Sequence, residues 1–372
     1  MRLPEYRQTM GEFERQIGEK DLVIWGKNKA CPELCARYGA RYILDSNDEL
    51  CDTKIGGIPV SLPEKIYGLE PSRTVVLLCM AESSYREALR VLDEAGHFTV
   101  FFWNVLQDAF LGEFSTALYD HWERIRGIQK VLWDDCSRKV LQEVVCRRIC
   151  GLKRGYGDLK VRNEIQYIFP PALYSKREGV ILDLGGYIGD SVDRFVNQLG
   201  GEADKIVTFE AWEENVRRLE EKRESLKEYW KGELEIVPCA VADRSGTVPF
   251  SVHRKAAGCF LSAYKGAGGA DVVEQVHVEA TTIDEAIPDT EKVRYIKMDI
   301  EGAEYAALMG ARRTITREKP GLAISIYHNA CDYYRLAELI LEYVPAYRLA
   351  VRHHKDRHVD TVLYAWIQEA GS

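Results

Sequence analysis

Residues 180–190 run Val-Ile-Leu-Asp-Leu-Gly-Gly-Tyr-Ile-Gly-Asp, an apolar stretch that turns into three glycines within five positions. Such a run predicts a buried strand, a tight turn and a helix, the seed of a parallel α/β sheet whose ligand edge lies at the carboxyl ends of its strands. Gly185 and Gly186 permit positive φ and carry no Cβ, so a ligand can lie against the main chain there. Two common uses are excluded by spacing. Counted from Gly185, the third and sixth positions are Tyr187 and Asp190, which breaks the dinucleotide fingerprint, and no Gly-Lys-Ser/Thr follows to make a Walker A loop.

Asp183 narrows the ligand further, because a carboxylate beside the turn repels a pyrophosphate but suits a cationic amine or sulfonium. The next predicted strand ends in Glu210, 21 residues after Gly189, where a carboxylate can accept hydrogen bonds from both hydroxyls of a ribose. An amino-acid head and a ribose together describe S-adenosylmethionine. A plain structural turn in a doubly wound sheet is the alternative reading of the same residues.

Around this segment the chain divides into three parts. Residues 1–104 alternate predicted strands (Leu22–Trp25, Tyr42–Leu44, Val75–Met80, Thr99–Trp103) with helices (Pro32–Tyr38, Ser84–Ala95), as a small Rossmann-like α/β domain does. Residues 105–162 read as a helical connector. From 163 to 372 a second series carries strands Val180–Leu184, Ile206–Phe209, Leu234–Val237, Tyr295–Met298 and Leu322–Ile326. It ends in a hairpin, Tyr347–Val351 with Thr361–Trp366, around a polar loop Arg352–Asp360.

The 50 Lys and Arg against 58 Asp and Glu give a net charge of −8, which argues against nucleic acid as a partner. The longest apolar run, Val75–Ala81, is far short of the roughly 20 residues a membrane span needs. Ten cysteines without a Cys-x-x-Cys pair fit reduced thiols in the cytoplasm.

Residues 163–366 resemble the FkbM family of S-adenosylmethionine-dependent methyltransferases. The resemblance rests on Gln166-Tyr167, the 182–190 turn, Phe209-Glu210, Ala240-Val241-Ala242-Asp243, and Lys297-Met298-Asp299-Ile300-Glu301-Gly302-Ala303-Glu304. Lys319-Pro320, Tyr327-His328, Arg352-His353 and Thr361–Ala365 follow in order. It implies a class I methyltransferase fold and O-methylation of sugars or secondary-metabolite hydroxyls. Asp183 and Gly185 then hold the methionine end of the cofactor, with Gly186, Tyr187 and Gly189 completing the turn. Glu210 clamps the ribose beside Ala211, and Ala242 with Asp243, or the backbone around Ala240, forms the adenine edge. The family often has Pro or Asp after Phe-Glu, where this chain has Ala211-Trp212.

Transfer of a methyl group needs an aligned nucleophile and a base. Asp299 and His328, each placed after a predicted strand, are the expected catalytic pair, with Glu301, Arg352 and His353 facing a small-molecule or glycan acceptor. Asp299, Glu301 and His328 would suit a divalent ion, but methyl transfer needs none, and none is expected. The glycine-rich stretch 258–270 reads as a loop that closes over substrate. Between Ser137 and Arg162, eight basic residues against two acidic ones would draw in a phosphorylated or nucleotide-linked sugar. In the first domain Lys27 and Lys29 are candidate phosphate contacts, and that domain is expected to serve recognition or homodimerisation. A binding or assembly protein with a decayed methyltransferase domain is the alternative from another class, and N-methylation of an amino sugar an enzymatic rival.

Overall fold

The computed structural model describes residues 8–81, 84–106, 109–150, 156–161, 165–176, 178–253, 259–261, 272–356 and 358–368. The chain forms two compact units, one of Met1–Trp122 with Glu143–Tyr156, the other of Glu123–Gln142 with Gly157–Ser372. The segment between the two sheets is helical, in Ala109–Asp120, Trp122–Val131 and Asp135–Ile149, and its residues are shared between both units.

In the first unit, β1 (Asp21–Trp25), β2 (Tyr42–Leu44), β3 (Lys54–Ile55), β4 (Ile58–Ser61), β5 (Thr74–Leu78) and β6 (Thr99–Phe102) make one sheet in the order β3-β4-β2-β1-β5-β6. All its pairs are parallel except β3 with β4. Strand β5 is buried at every position because both faces are covered. Ile24 and Leu77 pack with Phe13 and Leu34 from two helices, whereas Val23 and Val76 pack with Tyr85 and Leu89 from the helix Tyr85–Ala95. The Lys27 amide donates to the Asp45 carboxylate at 3.0 Å, so Asp45 holds the first turn of this unit.

The second unit holds β7 (Val180–Leu184), β8 (Lys205–Phe209), β9 (Glu233–Val237), β10 (Ala240–Val241), β11 (Gly246–His253), β12 (Cys259–Leu261), β13 (Val272–Thr281), β14 (Val293–Met298), β15 (Gly321–Ser325), β16 (Arg348–His353) and β17 (Thr361–Trp366). Seven of these form a sheet in the order β16-β17-β15-β14-β7-β8-β9. Strand β17 runs antiparallel to both β15 and β16, and the rest are parallel, so the fold is a Rossmann-like, mostly parallel sheet closed by a hairpin. The chain winds outward from β7 in both directions, which leaves a crevice at the carboxyl ends of β14, β7 and β8.

Two features depart from the sequence reading. A second sheet, β10-β13-β11-β12, occupies a stretch to which the sequence pattern assigned no strand, and of the expected closing loop 258–270 only Cys259–Leu261 lie among the described residues, as β12. Strand β16 runs on through His353 into the segment read as a polar loop.

Gly321 opens β15 directly beneath the short helix Pro170–Leu173, where a Cβ would fall 2.0 Å from the Ala172 carbonyl oxygen. Backbone cannot yield as a side chain can. Gly321→Ala is therefore expected to lower stability by about 1–3 kcal/mol, read as a shift in the urea midpoint with an unchanged slope.

Candidate active site

The turn after β7 is clamped by its neighbours. Gly185 and Gly186 both donate their amides to the Phe209 carbonyl at 3.0 Å, and the Asp299 amide donates to Leu184 at 3.1 Å. A Cβ on Gly185, whose φ is +83°, would sit 2.1 Å from the Asp299 carbonyl oxygen, and one on Gly186 would sit 2.1 Å from Thr208 Oγ1. Glycine is thus required here for strand ends to approach one another, as well as for any ligand lying above them.

Asp183 lies beneath the turn, wholly buried, rather than facing the crevice. Its carboxylate pairs with Lys297 Nζ at 2.9 Å and accepts from Ser191 Oγ at 2.7 Å and Thr208 Oγ1 at 3.3 Å. The expected contact with a cationic ligand gives way to this internal one, since Lys297 has already neutralised the charge. Lys297 Nζ also donates to the Gly185 carbonyl at 2.7 Å. Burial works against the ammonium, but Asp183 and Asp299 outweigh it and hold Lys297 above the usual lysine range.

Above the turn is a cavity of about 390 Å³, within the usual size for small-molecule sites. Its lining includes Gly185, Tyr187, Glu210, Ala211, Cys239, Ala240, Val241 and Phe250, together with Gln166, Tyr167, Arg194, Asp299, Glu301, Lys355 and Asp360. Glu210 sits at the rim, 8% exposed, and its two oxygens accept the Tyr187 amide at 2.9 Å and the Trp212 amide at 2.8 Å. Burial pushes its pKa up against those hydrogen bonds. Gly186 and Gly189 shape the turn without lining the cavity. Asp243 is exposed and Ala242 is tied to Thr281, so the backbone of Cys239–Val241 forms the wall expected of Ala242 and Asp243.

The second group of these residues is organised around Asp299. Its carboxylate accepts from the Tyr167 hydroxyl at 2.6 Å and the Tyr327 hydroxyl at 3.2 Å. Burial would raise its pKa, but the positive charges of His328 and Lys297 outweigh that and hold it below the usual range. Behind it, outside the cavity lining, His328 presents Nδ1 to Glu304 Oε1 at 2.8 Å and Nε2 to Glu301 Oε2 at 3.3 Å and Asp299 Oδ1 at 3.6 Å. Burial disfavours a charged ring, yet the carboxylates of Glu304 and Glu301 lift the His328 pKa well above its ordinary value. The two carboxylates thus favour the protonated ring over the neutral one, which does not suit the base expected of it.

Arg352 and His353 do not face the acceptor space expected of them. They belong to β16 rather than to a loop, and neither lines the cavity. Arg352, 5% exposed, binds Asp134 at 2.8 Å and Ser137 at 2.8 Å, and His353, fully buried, bonds Thr361 Oγ1 at 2.9 Å. Of the basic run, Arg138 pairs with Asp135 and Arg147 with Glu143, and Lys153, Arg154 and Arg162 lie outside the described residues.

Reading the sequence singled out neither Lys297 nor Tyr167 as a site residue. A lysine inside the apolar strand Val293–Met298 is the signal for the first. Tyr167 carries φ +68°, held by hydrogen bonds from its amide to the Tyr364 hydroxyl at 3.1 Å and from the Tyr295 hydroxyl to its carbonyl at 2.8 Å.

Lys297→Met strands the Asp183 carboxylate in a dry site, and should cost about 3–5 kcal/mol of stability in chemical denaturation. Adding Asp183→Leu should recover part of that loss. In the unaltered protein the lysine's contribution is whole below its unfolded value of about 10.4, and is lost as pH rises through the higher folded one.

Residues 183–356 match the family model of the methyltransferase FkbM domain. Over 97% of this chain and 94% of the other, the fold is similar to a methyltransferase FkbM from Methylobacillus flagellatus KT, with a TM-score of 0.58 at 20% identity. A putative rRNA-methylase from Clostridium thermocellum matches more loosely, at a TM-score of 0.30 and 10% identity over 52% of this chain and 88% of that one. No curated protein matches the chain. The glycine turn, the Lys297–Asp183 pair and most of the cavity lining therefore fall within the segment that is similar to the methyltransferase FkbM domain, residues 183–356, while Gln166, Tyr167 and Asp360 lie outside it.

Proposed function

We propose that the chain is an S-adenosylmethionine-dependent methyltransferase that methylates a hydroxyl oxygen of a neutral sugar, glycan precursor or secondary metabolite. The observation that carries this reading is a single cavity lined by the glycine turn and Glu210 together with the Tyr167–Asp299 pair. The residues suit the cofactor: Phe250, Ala240 and Val241 offer an apolar wall for a base, and Glu210 has lone pairs beyond the two used by backbone amides. Bound there, S-adenosylmethionine supplies an electrophilic methyl group on a sulfonium.

The walls carry five carboxylates (Asp190, Glu210, Asp299, Glu301, Asp360) against Arg194, Lys297 and Lys355, a formal −2. That charge favours a cationic ligand and disfavours a phosphorylated acceptor, so the anionic sugar expected from the basic run is set aside in favour of a neutral one. Asp299, ionised and oriented by Tyr167, accepts a hydrogen bond from the acceptor hydroxyl and points its lone pair along the line of attack. Gln166, fixed to Asp360 at 2.5 Å, lies beside it as a neighbouring polar contact. Ten cysteines without a paired motif favour the cytoplasm as the compartment, and no described helix is long and apolar enough to cross a membrane.

Calorimetry with S-adenosylmethionine tests the cofactor: the wild-type chain should bind it, and Glu210→Ala should weaken binding by about tenfold or more, a loss of ~1.4 kcal/mol. No heat from the wild-type chain with either this compound or its demethylated product rejects the reading. Asp299→Asn should keep cofactor affinity within about twofold and slow transfer of labelled methyl to a panel of neutral hydroxylated acceptors by about 10²–10⁴-fold.

A further inference from the structure

We propose that His328, Asp299 and Glu301 form a divalent-cation site at the wall of the cavity, with Glu304 orienting the imidazole. The proposal rests on the methyltransferase reading only for the use of the cation, not for its binding.

Distances make the first argument. Nε2 of His328 stands 3.3 Å from Glu301 Oε2 and 3.6 Å from Asp299 Oδ1. Two ligand atoms held about 2.1 Å from a cation at angles of roughly 90–120° are about 3.0–3.6 Å apart, so both carboxylate oxygens stand at a ligand's distance from the imidazole nitrogen, and rotation of Glu301 brings the third pair together. Glu301 is 43% exposed and can swing to complete the set.

A second, independent sign is the imidazole itself. Its side chain is only 9% exposed and Nε2 is shut away from solvent with no hydrogen-bond partner of good geometry, although it points at two carboxylates. Nδ1 is meanwhile committed to Glu304 Oε1 at 2.8 Å, and that carboxylate is fully buried and accepts the Ile300 amide at 3.0 Å. A carboxylate behind one ring nitrogen, with the other ring nitrogen aimed at further acidic ligands, is how proteins orient a metal-bound histidine. Charge points the same way: three carboxylates surround one imidazole, while Lys297 is occupied by Asp183 and the Gly185 carbonyl. Among the described residues Glu304, Asp299 and His328 each offer a ligand atom within 4.8 Å of the others, so Glu301 is the one member of the proposed set that must move to join them.

One imidazole with two carboxylates suits a first-row divalent ion such as Mn²⁺ or Zn²⁺. Asp299 and Glu301 line the cavity, so the remaining coordination positions face the space where an acceptor's hydroxyl oxygens would bind, and a vicinal diol is the natural bidentate partner.

The test uses the full chain, dialysed against chelator and titrated with Mn²⁺ in the absence of S-adenosylmethionine, followed by electron paramagnetic resonance and calorimetry, with Zn²⁺ in a parallel arm. One ion per chain is expected. His328→Gln should abolish it, and Glu304→Gln should weaken it by about 10–100-fold. Glu301→Gln, on an exposed side chain, keeps the fold and should weaken binding at least about tenfold. Absence of binding by both ions up to roughly 1 mM, or unchanged binding in Glu301→Gln and His328→Gln together, overturns the site and leaves the imidazole holding only a proton. Cofactor calorimetry on the same metal-free samples separates this result from failure of the methyltransferase reading.

Discussion

The buried pair between Lys297 and Asp183 is the contact on which the site depends. The two residues face each other in register on β14 and β7, the central strands of the larger sheet, where the residues on either side of each, Leu182 and Leu184, Ile296 and Met298, are apolar and buried. Neither charge is tolerable there alone, and together they still bear a desolvation cost. What they gain in return is placement. Lys297 grips the Gly185 carbonyl from below, while Asp183 holds Ser191 on the following helix and Thr208 on β8, so the turn, the helix start and the adjacent strand are fixed by one hydrogen-bonded cluster.

Strain is concentrated in the same place. Of the six described non-glycine residues with positive φ, four line the cavity: Tyr167, Tyr187, Glu301 and Asp360. Such conformations cost on the order of 1–3 kcal/mol each and persist because neighbouring hydrogen bonds leave no alternative. The Tyr187 amide is held by Glu210, Tyr167 by the hydroxyls of Tyr295 and Tyr364, and Asp360 by Gln166. Glu301 differs in being exposed, which leaves its side chain the mobile member of the acidic group around His328.

The acidic group illustrates how one arrangement carries two readings. Taken alone, His328 after a strand resembles a general base. With Glu304 behind it and Asp299 and Glu301 before it, the ring becomes a bound positive centre, either by protonation or by ligating a cation. In both cases Asp299, with Tyr167 fixing one oxygen, is the group that meets the acceptor.

Local pattern was enough to place the strands Val180–Leu184, Tyr42–Leu44 and Thr361–Trp366, the glycine turn and Glu210, because burial on two faces and turn chemistry both leave marks within a few consecutive residues. The sheet of β10 to β13 went unread because β11 carries Pro249, β13 interrupts its apolar residues with Glu274, His277 and Glu279, and neither shows a clean apolar run. Pairings between distant segments lay wholly beyond such patterns. Asp183 looked like a ligand contact until β14 brought Lys297 to it across 114 positions, and Arg352 looked like a loop residue until Asp134 and Ser137 buried it. The sequence by itself determined where charge and glycine occur along each strand. Only tertiary structure decided which charges neutralise one another and which remain to face a ligand, because that choice is set by register and burial between elements far apart in the chain.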